Sequence, residues 1–415
     1  MLDIKFIREN PEKVKEACRA KKEEVDIDRL LKLDKEYLGL LQKTEELRHK
    51  RRESSKKPPK KGVTAKYSKE ELKKYEEETR KAKEERDRLL LEVPNLPAPD
   101  VKFGQSENDN EVIRTWGKKP DFDFEPLDYL VLAESLDLID VKRAGKVSGT
   151  RFGYLKNEAV LLEFALVNFA FATLTKEGFS PVVPPVLINE DSMLGMGYLA
   201  HGGEEETYHL TKDGLYLTGT SEQSIGPMYK DEVLSGKKLP KRYVAFSSCF
   251  RREAGSWGKD TKGIFRVHQF DKIEMFSFTT RENSMKEHDY FLALEEKLVQ
   301  ALGIPYQVVK MCTSDLGNPA ARKYDIECWI PSQGKHRETH STSCCTDYQA
   351  RRLNIKYKDK DGKKNFVHMV NGTAFAIGRT IIALIENFQE KDGSILIPKV
   401  LRPYMEGKKK ITKHE

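Results

Sequence analysis

The first hundred residues constrain the fold most strongly, because they are too highly charged to form a globular core. They contain 28 Lys and Arg residues and 23 Asp and Glu residues, and only Pro11 and Gly39 disfavour a helix before residue 58. Thin stripes of mainly apolar residues recur along the segment at spacings of three and four. The segment is therefore predicted to form long helices that bury one narrow face each.

Two such stripes lie on either side of a proline-rich bend. The stripe before the bend is loose and comprises Ile27, Leu30, Leu31, Leu38, Leu41 and Leu47. The stripe after it has strict 3-4 spacing and comprises Leu72, Tyr75, Thr79, Ala82, Arg86, Leu89 and Val93. Pro58 and Pro59 prevent one continuous helix, so the stripes predict an antiparallel coiled-coil arm. Prolines 94, 97 and 99 mark a linker, which divides the chain into an arm, residues 1–105, and a body, residues 106–415.

The bend is the most basic part of the chain. Nine Lys or Arg residues and one acid, Glu53, occur between residues 48 and 66. A solvated run of charge would explain this pattern, and so would a tip that binds nucleic-acid phosphates without reading bases. On the second interpretation the binding residues are Arg48, Lys50, Arg51, Arg52, Lys56, Lys57, Lys60 and Lys61.

The overall composition excludes several classes of protein. The chain has 415 residues, a net charge of +7, 33% charged and 38% hydrophobic residues, which argues against both a membrane protein and general disorder. The most apolar run, residues 159–174, is interrupted by Glu163 and Asn168, so no membrane span is expected. The N-terminus lacks the apolar core of a signal peptide. Six cysteines, two of them adjacent, do not form a disulfide framework, and a cytoplasmic location is expected.

Two segments resemble known binding motifs, but glycine spacing in one and strand context in the other argue against those sites. The segment GSWGKDT, residues 255–261, resembles a phosphate-binding loop, but its glycine spacing is too short. The segment HRETH, residues 336–340, resembles a zinc motif, but the preceding YDIECWI alternates like a strand. Residues four apart on a strand are about 13 Å apart and cannot share one metal ion.

Two other segments carry polar residues in a pattern that suits a nucleotide. Residues 247–278 are predicted to form a strand that ends in Arg251 and Glu253, a glycine-rich loop, and a second strand that alternates from Phe265 through Val267. This hairpin would bring Arg251, Glu253 and Phe270 together. Arginine would bind a phosphate, glutamate an exocyclic amine, and the ring would stack on a base. Residues 370–394 predict a strand entering a buried helix that Arg379 opens, and a buried arginine needs an anion. A surface hairpin and a structural salt bridge remain the simple alternatives.

Taken in order, these segments resemble those of the seryl-tRNA synthetases, a class II aminoacyl-tRNA synthetase family. The three class motifs are similar to GFSPVVPPVL (178–187), CFRREAGSWGKDTKGIFRVHQFDKIE (249–274) and NGTAFAIGRTIIALIENFQEKDGSILIPKVLRPYM (371–405). Residues 146–163, residues 322–338 and the N-terminal MLDIKFIRENPEKV match as well. The resemblance covers nearly the whole chain.

The resemblance implies an α+β fold in which an antiparallel sheet of six to seven strands is flanked by helices. It implies a serine--tRNA ligase that forms seryl-adenylate and pyrophosphate from serine and ATP, and then transfers serine to the 3′ end of serine tRNA. It also implies a homodimer with Pro184 and Pro185 at the interface. The arm would reach across to tRNA on the other subunit and hold the long variable arm. Charging of selenocysteine tRNA is plausible on the same ground.

The resemblance also assigns site residues by position. Arg251 would bind the α-phosphate, Glu253 the adenine amine, and Phe270 with Arg379 would sandwich the adenine. The ATP site as a whole would comprise Arg251, Arg252, Glu253, Val267, Phe270, Glu338, Thr339, His340, Ser341 and Arg379, with Mg²⁺ on Glu338 and Ser341. The serine site would comprise Thr220, Ser221, Glu222, Arg251, Glu274, Asn371 and Thr373, with Glu274 accepting from the serine hydroxyl.

Two positions depart from the family pattern, which has Ala where this chain has Ser221 and commonly Asn at the position of Cys344. Two other functions are compatible with parts of this pattern. An RNA-binding relative without catalysis is disfavoured by the intact Arg251, Glu253, Glu338 and Arg379. A ligase for carrier proteins is disfavoured by the complete arm.

Overall fold

The computed structural model describes residues 1–56, 69–199, 203–254, 260 and 262–413. Its contacts divide the chain into two compact units, Met1–Leu96 and Pro97–Glu415. The sequence-based boundary lay nine residues later, after residue 105. The intervening residues join the second unit because the Ala98 N–H donates to the Ala321 carbonyl (2.8 Å) and the Gly104 N–H to the Thr313 hydroxyl (3.2 Å).

The first unit is helical, as predicted. Its helices are α1 (Ile4–Glu9), α2 (Pro11–Ala20), α3 (Ile27–Lys56) and α4 (Lys69–Glu92). Arg29 pairs with Glu85 and Arg48 with Glu76, each at 2.9 Å. Since the partner number falls as the first rises, α3 and α4 run antiparallel, which confirms the predicted pairing.

The seam between α3 and α4 differs in detail from the predicted stripes. Leu30, Leu47 and Leu72 are buried in it, but Leu38 is 40% exposed and Leu90 is buried rather than Leu89. Helical geometry leaves Leu38 beside the seam, where Tyr37 lies under the Arg86 guanidinium (4.3 Å).

Several positions in the seam between α3 and α4 are occupied by polar residues. Asp34 is 1% exposed and contacts Arg8 (2.7 Å) and Arg86 (3.4 Å). The Thr44 and Thr79 hydroxyls lie 2.9 Å apart. Thr79 and Arg86 belong to the predicted stripe, whereas their partners Thr44 and Asp34 on α3 do not.

The second unit combines helices with a large sheet. Its helices are α5 (Tyr129–Ser135), α6 (Val141–Ser148), α7 (Glu158–Lys176), α8 (Glu190–Met196), α9 (Gly203–Glu206), α10 (Glu222–Ile225), α11 (Ser284–Leu302), α12 (Tyr348–Leu353) and α13 (Ile377–Asn387). Its strands are β1 (Glu111–Trp116), β2 (Ile139–Asp140), β3 (Tyr154–Leu155), β4 (Ser180–Val182), β5 (Leu187–Asn189), β6 (His209–Leu210), β7 (Leu215–Leu217), β8 (Val233–Ser235), β9 (Lys241–Phe250), β10 (Gln269–Thr279), β11 (Tyr306–Lys310), β12 (Arg322–Ile330), β13 (Lys335–Thr346), β14 (Lys356–Lys358), β15 (Lys364–Phe366), β16 (His368–Ala376), β17 (Ile395–Leu396) and β18 (Lys410–Ile411).

The main sheet has eight strands in the order β1-β11-β12-β13-β16-β10-β9-β4. Every neighbouring pair is antiparallel except β4 and β9, which are parallel. The expected antiparallel architecture is therefore confirmed, whereas the expected count of six to seven strands is wrong. The edge strand β1 comes from a segment whose side chains are all exposed, so it has no burial pattern to reveal it.

Helices α7, α11 and α13 pack on the sheet and enclose the main core. Among the described residues, α7 alone has the length and apolarity of a possible membrane span. Half of the apolar stretch of α7 is buried inside the second unit, where Leu162, Ala165 and Leu166 contribute to the core. Burial in the core explains the apolar composition of α7 as well as a membrane-spanning position would.

The predicted hairpin exists with shorter strands. Strand β9 ends at Phe250 and β10 begins at Gln269, so Arg251 and Glu253 follow the first strand, and Phe265 and Val267 precede the second. The predicted strand context of residues 336–340 is confirmed by β13. Arg379 lies in the first turn of the buried helix α13, also as predicted.

Candidate active site

The central strands bring polar side chains to one region. In the sheet register Glu274 lies opposite Thr373, and Ser343 lies opposite Asn371. These side chains line two adjoining cavities of about 610 and 250 Å³. The walls of both contain Arg251, Lys272, Lys323, Ser341 and Thr373. The two cavities therefore form one cleft with a larger and a smaller lobe.

Arg251 and Arg379 meet in the smaller lobe. The Arg251 side chain is anchored through Nε, which donates to the Gly219 carbonyl (3.2 Å), and its guanidinium lies 5.2 Å from the centre of the Phe270 ring. Arg379 approaches from the start of α13. A hairpin end and a helix start thus direct two guanidinium groups into the same lobe.

Arg379 is held by both main-chain and side-chain groups. Its Nη1 lies 3.1 Å from Glu338 Oε2 and donates to the Glu338 carbonyl at 3.0 Å. Its guanidinium lies 4.8 Å from the Phe265 ring, on which Arg337 also lies (3.9 Å). Phe265 was not predicted as a site residue. Its alternation with Val267, which was predicted as a site residue, was the available signal.

Glu338 is a strongly acidic group. Burial alone would raise its pKa, but the nearby Arg379 and Lys323 outweigh burial and lower the pKa to about 2. Ser341 follows on the same strand and lines both lobes. No cluster of three or more His, Cys, Asp or Glu side chains suited to a metal occurs in the described chain. Glu338 and Ser341 offer one carboxylate and one hydroxyl. This donor set fits a Mg²⁺ ion that takes most of its six ligands from other molecules.

The other predicted ATP residues are distributed unevenly. Glu253, Val267 and Phe270 line the smaller lobe, and the Glu253 carboxylate accepts from Arg266 Nε. Arg252 lines neither lobe in the described part of the chain. Its guanidinium lies 5.8 Å from the centre of the Tyr208 ring.

Thr339 and His340 line the smaller lobe but are almost fully buried. The Thr339 hydroxyl lies 2.7 Å from His340 Nδ1. Burial lowers the pKa of His340 to about 4, so its ring is neutral at physiological pH.

The larger lobe is lined by Thr220, Glu222, Glu274, Asn371 and Thr373. Glu274 is 1% exposed, and its carboxylate lies 2.5 Å from Lys272 Nζ and accepts from the Thr373 hydroxyl at 3.5 Å. Burial, together with the charge of Glu274, raises the pKa of Glu222 to about 7. The lobe thus contains two buried carboxyl groups, one of them compensated by a lysine.

Ser221 is the one predicted serine-site residue that lies outside the described walls. Its side chain is fully buried, and its hydroxyl lies 2.6 Å from that of Ser247. The departure from the family's alanine is therefore accommodated behind the lobe.

Three residues that also line the larger lobe, Lys272, Lys323 and Cys345, were not predicted from the sequence. Burial would lower the pKa of Lys323, but the charges of Asp325, Glu338 and Asp315 reverse that effect and raise it. Lys272 and Glu274 share a strand face, and this alternation was the available signal.

The predicted phosphate-binding residues are only partly described. Arg48, Lys50, Arg51 and Arg52 are exposed on the last turns of α3, and Arg48 pairs with Glu76. Lys57, Lys60, Lys61 and the side chain of Lys56 lie outside the described residues.

Two family models match this chain. A model described as "tRNA synthetase class II core domain (G, H, P, S and T)" matches residues 207–388, and one described as "Seryl-tRNA synthetase N-terminal domain" matches residues 1–97. The chain is similar to a protein of Borreliella burgdorferi (strain ZS7) named serine--tRNA ligase, with 44% identity over 97% of this chain and 98% of the relative.

Solved structures show the same similarity. The seryl-tRNA synthetase of Pyrococcus horikoshii complexed with ATP matches with a TM-score of 0.92 and 42% identity, covering 100% of both chains. The cytoplasmic serine-tRNA ligase of Naegleria fowleri in complex with AMP matches with a TM-score of 0.87 and 35% identity, covering 100% of this chain and 99% of that one. By sequence and by fold, the chain belongs to the seryl-tRNA synthetase family.

Proposed function

We propose that the chain is a serine--tRNA ligase. It activates L-serine with ATP to seryl-adenylate and pyrophosphate, and then transfers serine to the 3′ end of serine tRNA. The observation that carries this proposal is the two-lobed cleft, in which Arg251 and Arg379 converge beside the buried carboxyl groups of Glu222 and Glu274. The smaller lobe suits a nucleotide base, and the larger suits a small polar amino acid together with phosphates.

In the smaller lobe, adenine would lie between Phe270 and the guanidinium of Arg379. Arg379 now lies over Phe265 at 4.8 Å, so its plane is already paired with an aromatic ring before a base arrives. Glu253 would accept from the adenine amine, and the main chain of Val267 would contact the base edge. Arg251, at the junction of the lobes, would bind the α-phosphate, because guanidinium groups pair with phosphate oxygens in a fixed geometry.

Mg²⁺ would be held by Glu338 and Ser341 together with the phosphates of ATP. When bound, it neutralises phosphate charge. Glu338 is suited to this role because the low pKa of its carboxyl keeps it ionised throughout the physiological range.

In the larger lobe, Glu274 would accept from the serine hydroxyl, with Thr373 and Asn371 completing the pocket. Glu222 and Thr220 would receive the ammonium group of serine. A pocket whose buried acceptors require a hydroxyl rejects an analogue without it by about 10⁴–10⁵. Alanine is therefore excluded by lost hydrogen bonds, and threonine by the space its methyl group would need.

The chemistry then depends mainly on position and charge. An oxygen of the serine carboxylate bonds to the α-phosphorus while the bond to the β-phosphate oxygen breaks, and pyrophosphate leaves. Arg251 stabilises the charge that builds on the α-phosphoryl oxygens. The terminal ribose hydroxyl of tRNA then attacks the carbonyl carbon of the adenylate, and AMP leaves. Neither step demands a nucleophilic side chain of the protein.

The remaining parts of the proposal concern partners and location. The basic end of α3 would contact the long variable arm of serine tRNA, and selenocysteine tRNA is a further possible substrate. A homodimer is proposed because Val183 is 80% exposed and Pro185, Leu161 and Phe164 are also exposed. Pro184, also expected at the interface, is buried within the chain itself. The enzyme would act in the cytoplasm.

The deciding experiment is ATP–pyrophosphate exchange measured with each amino acid separately. Serine should support exchange, whereas alanine and threonine should not. The absence of serine-dependent exchange in folded protein would refute the proposed ligase activity. It would favour the alternative that the chain is an RNA-binding relative that has lost catalysis. Charging of serine tRNA, compared with charging of a carrier protein, then separates the two kinds of ligase.

A further inference from the structure

Gln349 occupies a position behind the larger lobe that the mechanism has not used. It lies in the short helix α12, is fully buried, and is absent from the described walls of both lobes. Its amide nitrogen donates to Glu222 Oε1 at 3.0 Å and to the Met196 carbonyl at 3.2 Å. Met196 is the last residue of α8, so Gln349 connects the end of one helix to a carboxyl group of the lobe.

The Met196 carbonyl fixes which way the amide faces. A carbonyl oxygen can only accept a hydrogen bond, so the nitrogen of Gln349, and not its oxygen, must point toward α8. The second N–H of the same nitrogen then points at Glu222 whatever the state of that carboxyl group. This geometry favours a carboxylate at Glu222, because an ionised oxygen is the stronger acceptor.

From this arrangement we infer that Gln349 is a positioning residue for serine binding, one that holds Glu222 in the orientation and charge state that receive the substrate ammonium group. The inference rests on the proposed function. It adds a residue that does not touch serine and acts only through Glu222. Tyr198, which also hydrogen-bonds Glu222, supports the same carboxyl group from the loop after α8.

The charged surroundings of Glu222 make this support necessary. Glu274 on β10 opposes ionisation of Glu222, and Lys272 on the same strand favours it. The described lining of the same lobe also contains other titratable or charged groups, namely Tyr198 after α8, Glu206 on α9, Arg251 after β9, Asp315, Lys323 on β12 and Cys345 on β13. Burial raises the pKa of Glu222 to about 7, and the hydrogen bond from Gln349 works against that rise. Removal of the donor should therefore raise the pKa further.

The test is Gln349→Met, which keeps the volume of the side chain and removes both donors. Hydrogen bonds to charged groups are worth enough that their loss weakens binding by about 10- to 100-fold. We expect the KM for serine in ATP–pyrophosphate exchange to rise by about this factor at pH 7, with the KM for ATP unchanged within about twofold. The defect should shrink as the pH is raised toward 9, because Glu222 then ionises without help.

Arg352→Ala is the matched control. Arg352 lies on the same helix and donates to the Leu194 carbonyl of α8 at 3.1 Å, so it shares the structural link but makes no described contact with Glu222. Its loss should lower the melting temperature and leave the KM for serine unchanged.

Three outcomes would overturn the inference while serine-dependent exchange by the wild-type protein upholds the proposed function. One is an unchanged serine KM in Gln349→Met. Another is an equal rise of both KM values. The third is a rise of the serine KM in Arg352→Ala as large as that in Gln349→Met, which would assign the effect to helix packing.

Discussion

Replacement of Glu163 by glutamine should remove a pH-dependent loss of stability from the second unit. Glu163 lies in the middle of the apolar helix α7, is 8% exposed, and hydrogen-bonds the side chain of Asp271, which also accepts from the Ser248 hydroxyl. Burial, and then the charge of Asp271, raise the pKa of Glu163 to about 8. The folded protein therefore carries a proton here that the unfolded chain releases.

The direction of the effect follows from this difference. Below pH 4.5 both states hold the proton, and the stability is fully present. Between pH 4.5 and about 8 only the folded state holds it, so the free energy of unfolding falls as the pH rises. The full rise of the pKa from 4.5 to about 8 corresponds to roughly 5 kcal/mol. A cavity of about 350 Å³ adjoins the pair and admits solvent, so we expect about half of this, roughly 2–3 kcal/mol.

Glutamine can donate the same hydrogen bond to Asp271 at every pH. Urea denaturation should therefore show similar stability for both proteins at pH 5.5, and a variant more stable by about 2–3 kcal/mol at pH 9. Tryptophan fluorescence suits the assay, because the three tryptophans, Trp116, Trp257 and Trp329, all belong to the second unit.

Glu158→Gln serves as the control on the same helix. It breaks an ion pair with Lys408 (2.6 Å) and leaves the Glu163–Asp271 pair intact, so the wild-type pH dependence should persist. If Glu163→Gln and the wild type lose equal stability between pH 5.5 and 9, the shared proton is not the cause and the reasoning is refuted.

Three further predictions concern the proposed reaction. Arg379→Ala should lower kcat/KM for ATP in the exchange assay at least about 100-fold, because it removes a stacking plane and a charge at once, while circular dichroism stays native; near-normal exchange would show that Arg379 is misassigned. Ser221→Ala should change the KM for serine less than about twofold, since the loss of one buried neutral hydrogen bond costs stability rather than contact with substrate; a tenfold change would place the hydroxyl in the pocket. Charge reversal of Arg48, Lys50, Arg51 and Arg52 to Glu should weaken serine-tRNA binding and flatten its salt dependence, with pyrophosphate exchange unchanged; equal tRNA affinity would remove these residues from the tRNA site.

The parts of the fold with a regular period could be predicted from sequence. The pairing of α3 with α4, the hairpin of β9 and β10, and the entry of β16 into α13 all follow from spacing and from proline positions. Strand β1 could not be found this way, because all its side chains are exposed and no apolar alternation marks it. Strand ends were misplaced at Phe265 and Val267 because the alternation continues beyond the hydrogen-bonded ladder.

The candidate site was predictable where a residue's role depends on its own strand or helix. Glu274, Asn371 and Thr373, which the family resemblance assigned to the serine site, line the larger lobe from strands β10 and β16, and Arg251 lines it from the segment after β9. Phe265 and Gln349 were missed because their importance comes from partners on other elements, Arg379 and Glu222. Ser221 lies in a turn, where no period indicates which side chain faces the cavity.

The packing around residue 372 explains why the chain has a glycine at this position. A Cβ at this position would come within 2.9 Å of Glu295 Oε1, which belongs to the buried helix α11. Asn371 and Thr373 on either side line the larger lobe. A side chain here would force the Glu295 carboxyl and the Phe291 ring, 3.1 Å from the same Cβ, to shift, so glycine allows α11 to pack closely on the strand that holds both pocket residues.

The buried carboxylate of Asp34 also limits how α3 and α4 can slide along each other. Leucine seams alone tolerate sliding by one heptad, which moves a helix by about 10 Å. Such a slip would separate Asp34 on α3 from Arg86 on α4, so the buried carboxylate would lose one of its two described ion-pair partners. The Asp34–Arg86 pair, together with the Thr44–Thr79 hydroxyl contact, therefore fixes one register of the two helices. An insertion in one helix must be matched by an insertion of equal length in the other.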